Sequence, residues 1–191
     1  MDILNLGGGM AVPYVAGDAS IDYGKNICAI GKLIDEVCAQ LGIAAPAILM
    51  EPGRSIVADA GITLYSVVSI KEIPGFKNFV AVDGGMSDNP RFALYQAEYT
   101  VLPASRMNDT SDFTCTVAGC CCESGDLIQE DVCLPKMRRG DYLAVLTTGA
   151  YNYSMASNYN RIPRPPVVMV GKDGPHIAVR RETYDDLMNC E

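Results

Sequence analysis

Two hydrophobic patterns follow each other along the chain, and the first is typical of alternating strands and helices. An apolar run at 3–6 ends in three glycines, apolar residues recur at helical spacing over 27–41, and a second apolar run occupies 47–50. Strand, helix and strand in this order predict a βαβ unit with both strands buried in a parallel sheet. Gly42 is the expected end of the helix.

The second pattern begins after residue 60 and is typical of β structure. Short runs rich in β-branched and aromatic residues alternate with turn residues, which predicts a barrel or a sandwich. The predicted strands are 63–73, 79–82, 113–117, 142–147, 167–170 and 176–180, and a short helix is expected at 184–190. We therefore divide the chain into an α/β segment at 1–60 and a β domain at 61–191.

Length and charge narrow the possible functions. With 191 residues, 49% of them hydrophobic, the chain can form one large domain or two small ones. A complete eight-stranded (β/α) barrel typically needs about 250 residues. The formal net charge of -8 argues against a nucleic-acid-binding surface. No apolar run approaches the length of a membrane span, and the first residues do not resemble a signal peptide.

The cysteines indicate free thiols. Eight cysteines are spread over the chain, and Cys120, Cys121 and Cys122 are neighbours that are poorly placed to pair with each other. Reduced thiols in a cytoplasmic protein are the simplest interpretation. His176 is the single histidine, and no pair of C-x-x-C motifs is present, so we predict no metal site.

Candidate binding chemistry follows each of the two apolar runs in the first segment. Gly7–Gly9 can present backbone N–H groups to a phosphate, although a flexible turn would have the same sequence. Glu51 and Arg54 follow the second run, where parallel sheets bind ligands. The carboxylate can pair with a protonated ring nitrogen, and the guanidinium with a phosphate or carboxylate. A surface ion pair around a turn is the alternative.

Further candidates lie in the β domain. Arg91 and Tyr95 are four residues apart and would share a face in a helical turn, where they suit a carboxylate. The alternative is a solvated arginine beside a half-buried tyrosine. Cys122 and Glu123 place a proton donor next to an acceptor for an ammonium group, or else belong to an inert buried strand. Tyr151 lies in an aromatic run and can contact a ligand or simply pack.

Taken together, these motifs resemble the C-terminal half of the diaminopimelate decarboxylase family. Each motif is weak alone, but their order and spacing match over nearly the whole chain. The matching segments are 4–9, 51–54, 83–91 with 93–95, 122–126, 149–151, 158–160 and 164–165.

The resemblance implies a fold and a reaction. The family has a (β/α)8 barrel that binds pyridoxal 5'-phosphate, followed by a β domain, so 1–60 would be a C-terminal remnant of that barrel. Its members are cytoplasmic homodimers that decarboxylate meso-2,6-diaminopimelate to L-lysine and CO2, the last step of lysine biosynthesis.

The resemblance also implies residue roles. The cofactor-binding residues would be Gly8, Gly9, Glu51, Pro52, Gly53, Arg54 and Tyr151, with Glu51 facing the pyridine nitrogen. The substrate-binding residues would be Arg54, Arg91, Tyr95, Glu123 and Tyr151. Cys122 would donate a proton after CO2 leaves, and Cys122 and Glu123 would act in the active site of the partner subunit.

The chain departs from the family at one essential point. The lysine that attaches the cofactor lies upstream of the glycine segment in the family, and none of the lysines here follows that pattern. We therefore expect a truncated diaminopimelate decarboxylase, for example from a shortened gene model, with little or no activity of its own. Phe92 replaces the usual proline, which should not alter the site.

Two alternatives remain open at this stage. One is a non-catalytic relative that binds the cofactor or a partner subunit. The other is a decarboxylase for ornithine, arginine or carboxynorspermidine. Related ornithine and arginine decarboxylases typically have Cys-Asp where this chain has Cys122-Glu123, and they do not need the Asn-Pro-Arg segment at 89–91. Both differences favour diaminopimelate.

Overall fold

The computed structural model describes residues 2–189, and its first part is the predicted strand, helix and strand. Strand β1 (Ile3–Asn5) pairs in parallel with β2 (Ala47–Leu49), and α1 (Tyr23–Leu41) connects them. The Asp22 side chain accepts a hydrogen bond from the Lys25 N–H at the start of α1, and Gly42 ends the helix in a left-handed conformation. The prediction of a βαβ unit, including its helix end, is confirmed.

The predicted burial of these strands was wrong. Ile3 is 57% exposed and Leu49 is 49% exposed. Along α1 only Cys38 is buried, so the apolar face of the helix is largely open. A βαβ unit buries its strands only when further strands and helices cover both faces of the sheet. Within residues 2–189 no such layer covers this one.

The larger sheet of the β domain is curled and has six strands. They are β3 (Thr63–Ile73), β4 (Lys77–Val82), β5 (Val101–Leu102), β6 (Phe113–Ala118), β7 (Leu127–Leu134) and β8 (Tyr142–Val145). Their order is β5-β8-β3-β4-β6-β7, and all pairs are antiparallel except β4 with β6. Because the edge strands β5 and β7 approach each other, the sheet forms a nearly closed barrel.

The barrel interior is filled by alternate residues of the strands, as a pleated sheet requires. The buried core comprises Tyr65, Val67, Val80, Val82, Tyr99, Val101, Cys115, Val117, Ile128, Leu134, Met137, Leu143 and Val145. Tyr14, from the segment before α1, packs edge-to-face on Tyr99 with ring centroids 5.3 Å apart. The Tyr14 carbonyl also accepts hydrogen bonds from the backbone and hydroxyl of Thr100. The segment around Tyr14 therefore packs on the β domain.

Two strands were missed by the sequence analysis. Strand β7 contains Glu130 and Asp131, which interrupt its hydrophobic alternation, and Asp131 has a left-handed backbone with φ 52°. The β6–β7 pairing shifts register twice, which is typical of a bulged pair. Strand β5 has only two residues, too few for a periodic pattern to be visible.

Short helices and a hairpin complete the described chain. Helix α2 (Arg54–Val57) follows β2, and α3 (Arg91–Tyr95) provides the helical turn expected there. The hairpin of β9 (Val167–Gly171) and β10 (Gly174–Val179) and the final helix α4 (Tyr184–Met188) match the predicted elements. The end of that predicted helix, at 190, lies outside the described residues. Neither α1 nor any shorter helix within 2–189 could serve as a membrane span.

A carboxylate near the C-terminus ties the tail to the segment that precedes the hairpin. Glu182 accepts hydrogen bonds from the Arg164 N–H at 2.8 Å, the Arg164 Nε at 2.7 Å and the Asn158 Nδ2 at 2.7 Å. Mainly through hydrogen bonds from the Arg164 side chain, this environment lowers the pKa of Glu182 to about 2. The ionised carboxylate therefore contributes to stability.

We expect Glu182→Gln to lower the melting temperature at pH 7 by a few degrees and to weaken its dependence on pH. A depressed carboxyl pKa stabilises the fold above the ordinary value of 4.5, and that contribution is lost as pH falls towards about 2. Thermal unfolding between pH 7 and pH 2.5 tests this, with Glu72→Gln, which removes an exposed ion pair to Lys136, as the control. A Glu182→Gln deficit that stays constant over the whole pH range would contradict the assignment.

Candidate functional site

The glycine segment lies against the residues that follow β2. The Glu51 N–H donates to the Gly7 carbonyl at 2.7 Å, so the two chains remain paired beyond the ends of their strands. Gly7 and Gly9 have φ values of 68° and 80°, in the left-handed region that favours glycine. A Cβ on Gly8 would lie 2.2 Å from the Glu51 carbonyl oxygen. A side chain at Gly8 is therefore excluded, which keeps the glycine segment close to the end of β2.

Glu51 does not form an ion pair with Arg54. Its Oε1 accepts a hydrogen bond from Asn5 Nδ2 at 2.7 Å, which orients the carboxylate across the ends of β1 and β2. Arg54, at the start of α2, instead places its guanidinium 5.4 Å from the centre of the Tyr151 ring. The alternative of a surface Glu–Arg pair is wrong.

Two arginines and three tyrosines from distant segments of the chain lie close to one another. The Arg91 guanidinium lies 5.5 Å from the ring centre of Tyr151, 5.6 Å from that of Tyr95 and 5.8 Å from that of Tyr14. Tyr151 thus contacts both guanidinium groups, and we call these five residues the arginine–tyrosine cluster. Arg91 is only 9% exposed, so the alternative of a solvated arginine is also wrong.

The arginine–tyrosine cluster is positively charged and has unused polar atoms. Within residues 2–189, neither arginine forms an ion pair with an acidic side chain. The Nε atoms of Arg54 and Arg91, the Tyr14 hydroxyl and the Asn152 Nδ2 are buried without a hydrogen-bond partner there. Buried cations without counter-ions are unfavourable. The arrangement is therefore suited to receive an anion.

A cavity of about 240 Å³ opens beside Arg54 and Tyr151. Its lining comprises Gly53, Arg54, Val57, Gly149, Ala150, Tyr151 and Ser154. Tyr151 has a left-handed backbone with φ 67°, an uncommon conformation for a residue with a large side chain. The predicted residues Gly53, Arg54 and Tyr151 thus line a single cavity, and Arg91 contacts the ring of Tyr151.

Cys122 and Glu123 are held by a different segment. The Cys122 N–H donates to Asn160 Oδ1 at 2.6 Å, and the Tyr159 hydroxyl donates to Glu123 Oε2 at 3.3 Å. Both residues are exposed and lie in a bend. The alternative of an inert buried strand is therefore wrong, and their hydrogen bonds do not run to the arginine–tyrosine cluster.

The three neighbouring thiols differ in environment. Burial raises the pKa of the Cys120 thiol to about 11 and also raises the pKa of Cys121, so both remain protonated at neutral pH. Cys120 and Cys122 are exposed residues of this bend, and Cys121 between them is half-buried. Across residues 2–189, no group of three or more histidine, cysteine or acidic side chains could hold a metal ion.

Sequence reasoning missed two members of this site. Tyr14 lies in an aperiodic segment between the glycines and α1, and only its contacts with Arg91 and Tyr99 reveal its position. Asn152 is 4% exposed and accepts a hydrogen bond from the Tyr99 hydroxyl at 3.3 Å. Its place directly after Tyr151 was the only available signal.

Comparison with known proteins places this geometry in context. The family described as the pyridoxal-dependent decarboxylase C-terminal sheet domain matches residues 14–149. The diaminopimelate decarboxylase of Bacillus subtilis is 49% identical over 189 residues, which cover 99% of this chain and 43% of that protein. That of Staphylococcus aureus is 52% identical, with 98% and 45% covered. The chain thus spans less than half the length of these relatives.

A solved structure gives the same result. The crystal structure of diaminopimelate decarboxylase from M. jannaschii in complex with L-lysine is 36% identical and superposes with a TM-score of 0.88. The match covers 100% of this chain and 43% of that one. The chain belongs to the pyridoxal-dependent decarboxylase family, of which it carries the C-terminal sheet domain.

Proposed function

We propose that this chain is the C-terminal part of a diaminopimelate decarboxylase, a lyase that converts meso-2,6-diaminopimelate to L-lysine and CO2. The main support is the arginine–tyrosine cluster, which gathers two cations that have no acidic partner within residues 2–189, one of them three residues after Glu51. The relatives of similar sequence carry the same name. The whole protein would work in the cytoplasm, in keeping with free thiols at all seven described cysteines.

The residues present fit pyridoxal 5'-phosphate. Gly8 and Gly9 would bind the phosphate: Gly8 lets the segment lie against the Glu51 carbonyl, and Gly9 has open space around its Cβ position. Glu51 offers a carboxylate and is followed in sequence by Pro52 and Gly53. When bound, the cofactor supplies a protonated ring that accepts electrons from the carbon that loses CO2. Glu51 would hold the proton on the ring nitrogen, while Arg54 and Tyr151 would bind the anionic and aromatic parts of the ligands.

The substrate would be recognised at both ends. The far carboxylate would be bound by Arg54, Arg91 and Tyr95, and the substrate would also contact Tyr151. A substrate too short to reach the buried Arg91 guanidinium would leave it unpaired and would therefore bind poorly. Glu123 would bind the far ammonium group. Cys122 would give its thiol proton to the reacting carbon after CO2 leaves.

A homodimer would bring these parts together. Cys122 and Glu123 are exposed, and their hydrogen bonds run to the segment around Tyr159 rather than to the cluster. This separation supports the proposal that they act in the active site of the partner subunit.

We also propose that 1–60 belongs to a (β/α)8 barrel and 61–191 to the β domain. The parallel pair of β1 and β2 and the exposed apolar face of α1 support this division, because the missing strands of a barrel would cover both. Tyr14 is an exception, since it packs on the β domain, and the family match also begins at residue 14. The boundary between the barrel segment and the β domain is thus less sharp in the structure than the change in hydrophobic pattern near residue 60 indicates.

Joining this chain to the missing part should restore activity. We expect the 191-residue chain alone to form no lysine from meso-diaminopimelate with added cofactor. A fusion to the part of the Bacillus subtilis relative that precedes the match should decarboxylate it. Lysine and CO2 release measure both. Robust turnover by the isolated chain would refute the proposal, and a folded fusion that binds cofactor without turnover would favour a non-catalytic relative.

Arg91→Lys in the same fusion should raise KM for meso-diaminopimelate at least tenfold, with a smaller change in kcat. Lysine keeps the charge but loses the planar guanidinium that contacts three tyrosine rings. Arg106→Lys, at a surface ion pair with Asp109, is the matched control and should leave KM unchanged. Ornithine should be decarboxylated at least a hundredfold less efficiently than diaminopimelate. Equal KM values for wild type and Arg91→Lys would remove Arg91 from the binding site.

A further inference from the structure

We propose that Asp126 is a positioning residue that fixes the bend carrying Cys122 and Glu123 against the loop that leads to Arg91. Its effect on catalysis rests on the proposed decarboxylase function, whereas its effect on the bend does not. Within residues 2–189, Asp126 forms no hydrogen bond to the arginine–tyrosine cluster or to the glycine segment. It would therefore act through the residues it holds.

One buried carboxylate joins two loops that are distant in sequence. Asp126 is 3% exposed, and its Oδ1 accepts a hydrogen bond from the Met86 N–H at 2.6 Å. Its Oδ2 accepts a hydrogen bond from the Cys121 N–H at 2.6 Å. Met86 belongs to the loop between β4 and α3, which ends at Arg91, and Cys121 immediately precedes Cys122. Hydrogen bonds to an ionised acceptor are about twice as strong as neutral ones.

The carboxylate is enclosed by backbone on both sides. A Cβ on Gly119 would lie 2.2 Å from Asp126 Oδ2, and a Cβ on Gly85 would lie 2.5 Å from Oδ1. Real Cβ atoms do not approach oxygen this closely, so both positions accept only glycine while the carboxylate stays in place. The site therefore holds Asp126 in one position.

Three consecutive amides of the bend are bound by three different segments. The Cys120 N–H donates to the Gly84 carbonyl at 2.9 Å, the Cys121 N–H to Asp126, and the Cys122 N–H to Asn160 Oδ1 at 2.6 Å. The Asp126 N–H in turn donates to the Glu123 carbonyl at 3.2 Å, which closes the bend. Of these acceptors, Gly84 belongs to the loop of Arg91, and Asp126 is the side chain that also binds that loop, through the Met86 N–H.

A second buried acid, Asp88, stabilises the loop that leads to Arg91. Asp88 accepts hydrogen bonds from the Gly85 N–H at 2.8 Å and from the Tyr65 hydroxyl. Burial raises the pKa of Asp88, and the nearby charge of Asp126 raises it further. Since Asp88 binds the loop of Arg91 and the barrel wall, it explains how that loop is anchored. Asp126 connects the loop with the bend, together with the hydrogen bond from the Cys120 N–H to the Gly84 carbonyl.

Hydrogen exchange on the 191-residue chain tests the positioning directly. In the wild type, the amides of Met86 and Cys121 should exchange slowly, because both donate to a buried carboxylate. Asp126→Asn replaces one acceptor oxygen by an NH2 group and should speed exchange of the amides at 120–123 at least tenfold, while amides of β3 and β4 change little. Asp141→Asn is the matched control. It makes the same change at a carboxylate that accepts a hydrogen bond from the Arg138 N–H in a distant turn, and it should leave the exchange rates of the amides at 120–123 unchanged.

The fusion protein tests the consequence for substrate selection. Asp126→Asn should reduce the preference for meso-diaminopimelate over 2-aminopimelate, which lacks the far amine, at least fivefold in kcat/KM. A merely destabilised enzyme would lose activity towards both compounds equally. Gly119→Ala keeps the charge of Asp126 but displaces its carboxylate, and should have the same two effects if Asp126→Asn does not fold.

The outcomes separate the two proposals. Fast exchange of Met86 or Cys121 in the wild type, or exchange in the variants that rises evenly over the whole chain, would overturn the positioning role. An inactive wild-type fusion would instead refute the proposed function, and the exchange results would still decide the role of Asp126. If exchange at 120–123 is faster in Asp126→Asn but the preference between the two substrates is unchanged, the proposed effect of Asp126 on catalysis is wrong.

Discussion

Stacking of two guanidinium groups on Tyr151 is the interaction on which the site depends. Arg54 comes from the helical turn after β2 and Arg91 from the turn after β4, so the tyrosine joins the βαβ unit to the barrel. Two like charges near one ring, without an acidic partner in the described chain, repel each other unless an anion binds between them. The repulsion between the two guanidinium groups in the free protein therefore favours binding of an anionic ligand.

A second constraint comes from the uncovered face of the βαβ unit. Strands with exposed leucine and isoleucine side chains are stable in water only when another layer covers them. The glycine segment and Glu51 are attached to these same strands, so their geometry depends on that cover. The arginine–tyrosine cluster, by contrast, is partly anchored in the closed β domain. The two halves of the site therefore depend on different parts of the fold.

The sequence could predict those features that are recorded in local patterns. Strand β3 was bounded correctly because its β-branched run stops at a Pro-Gly turn. The end of α1 was predicted because its apolar residues keep a helical spacing up to Gly42, but its start at Tyr23 precedes that apolar pattern. Burial of β1 could not be predicted, since it depends on what lies outside the strand itself. Strand β7 was hidden by Glu130 and its bulge, and Tyr14 by the absence of any period. Residue roles came from the order of the motifs, which periodicity does not supply.

Fixing the bend at Cys122 by its backbone has a consequence for specificity. Cys122 and Glu123 are exposed, and ordering an exposed segment and a long side chain such as that of Glu123 on binding costs conformational entropy. Hydrogen bonds to three successive backbone N–H groups already order the bend in the folded protein. The entropy of the bend is therefore lost on folding and not on substrate binding. Because Asp126 also binds the loop of Arg91, displacement of either loop is transmitted to the other. In the proposed homodimer with shared sites, Asp126 would therefore couple the position of Arg91 in one active site to the position of Cys122 in the other.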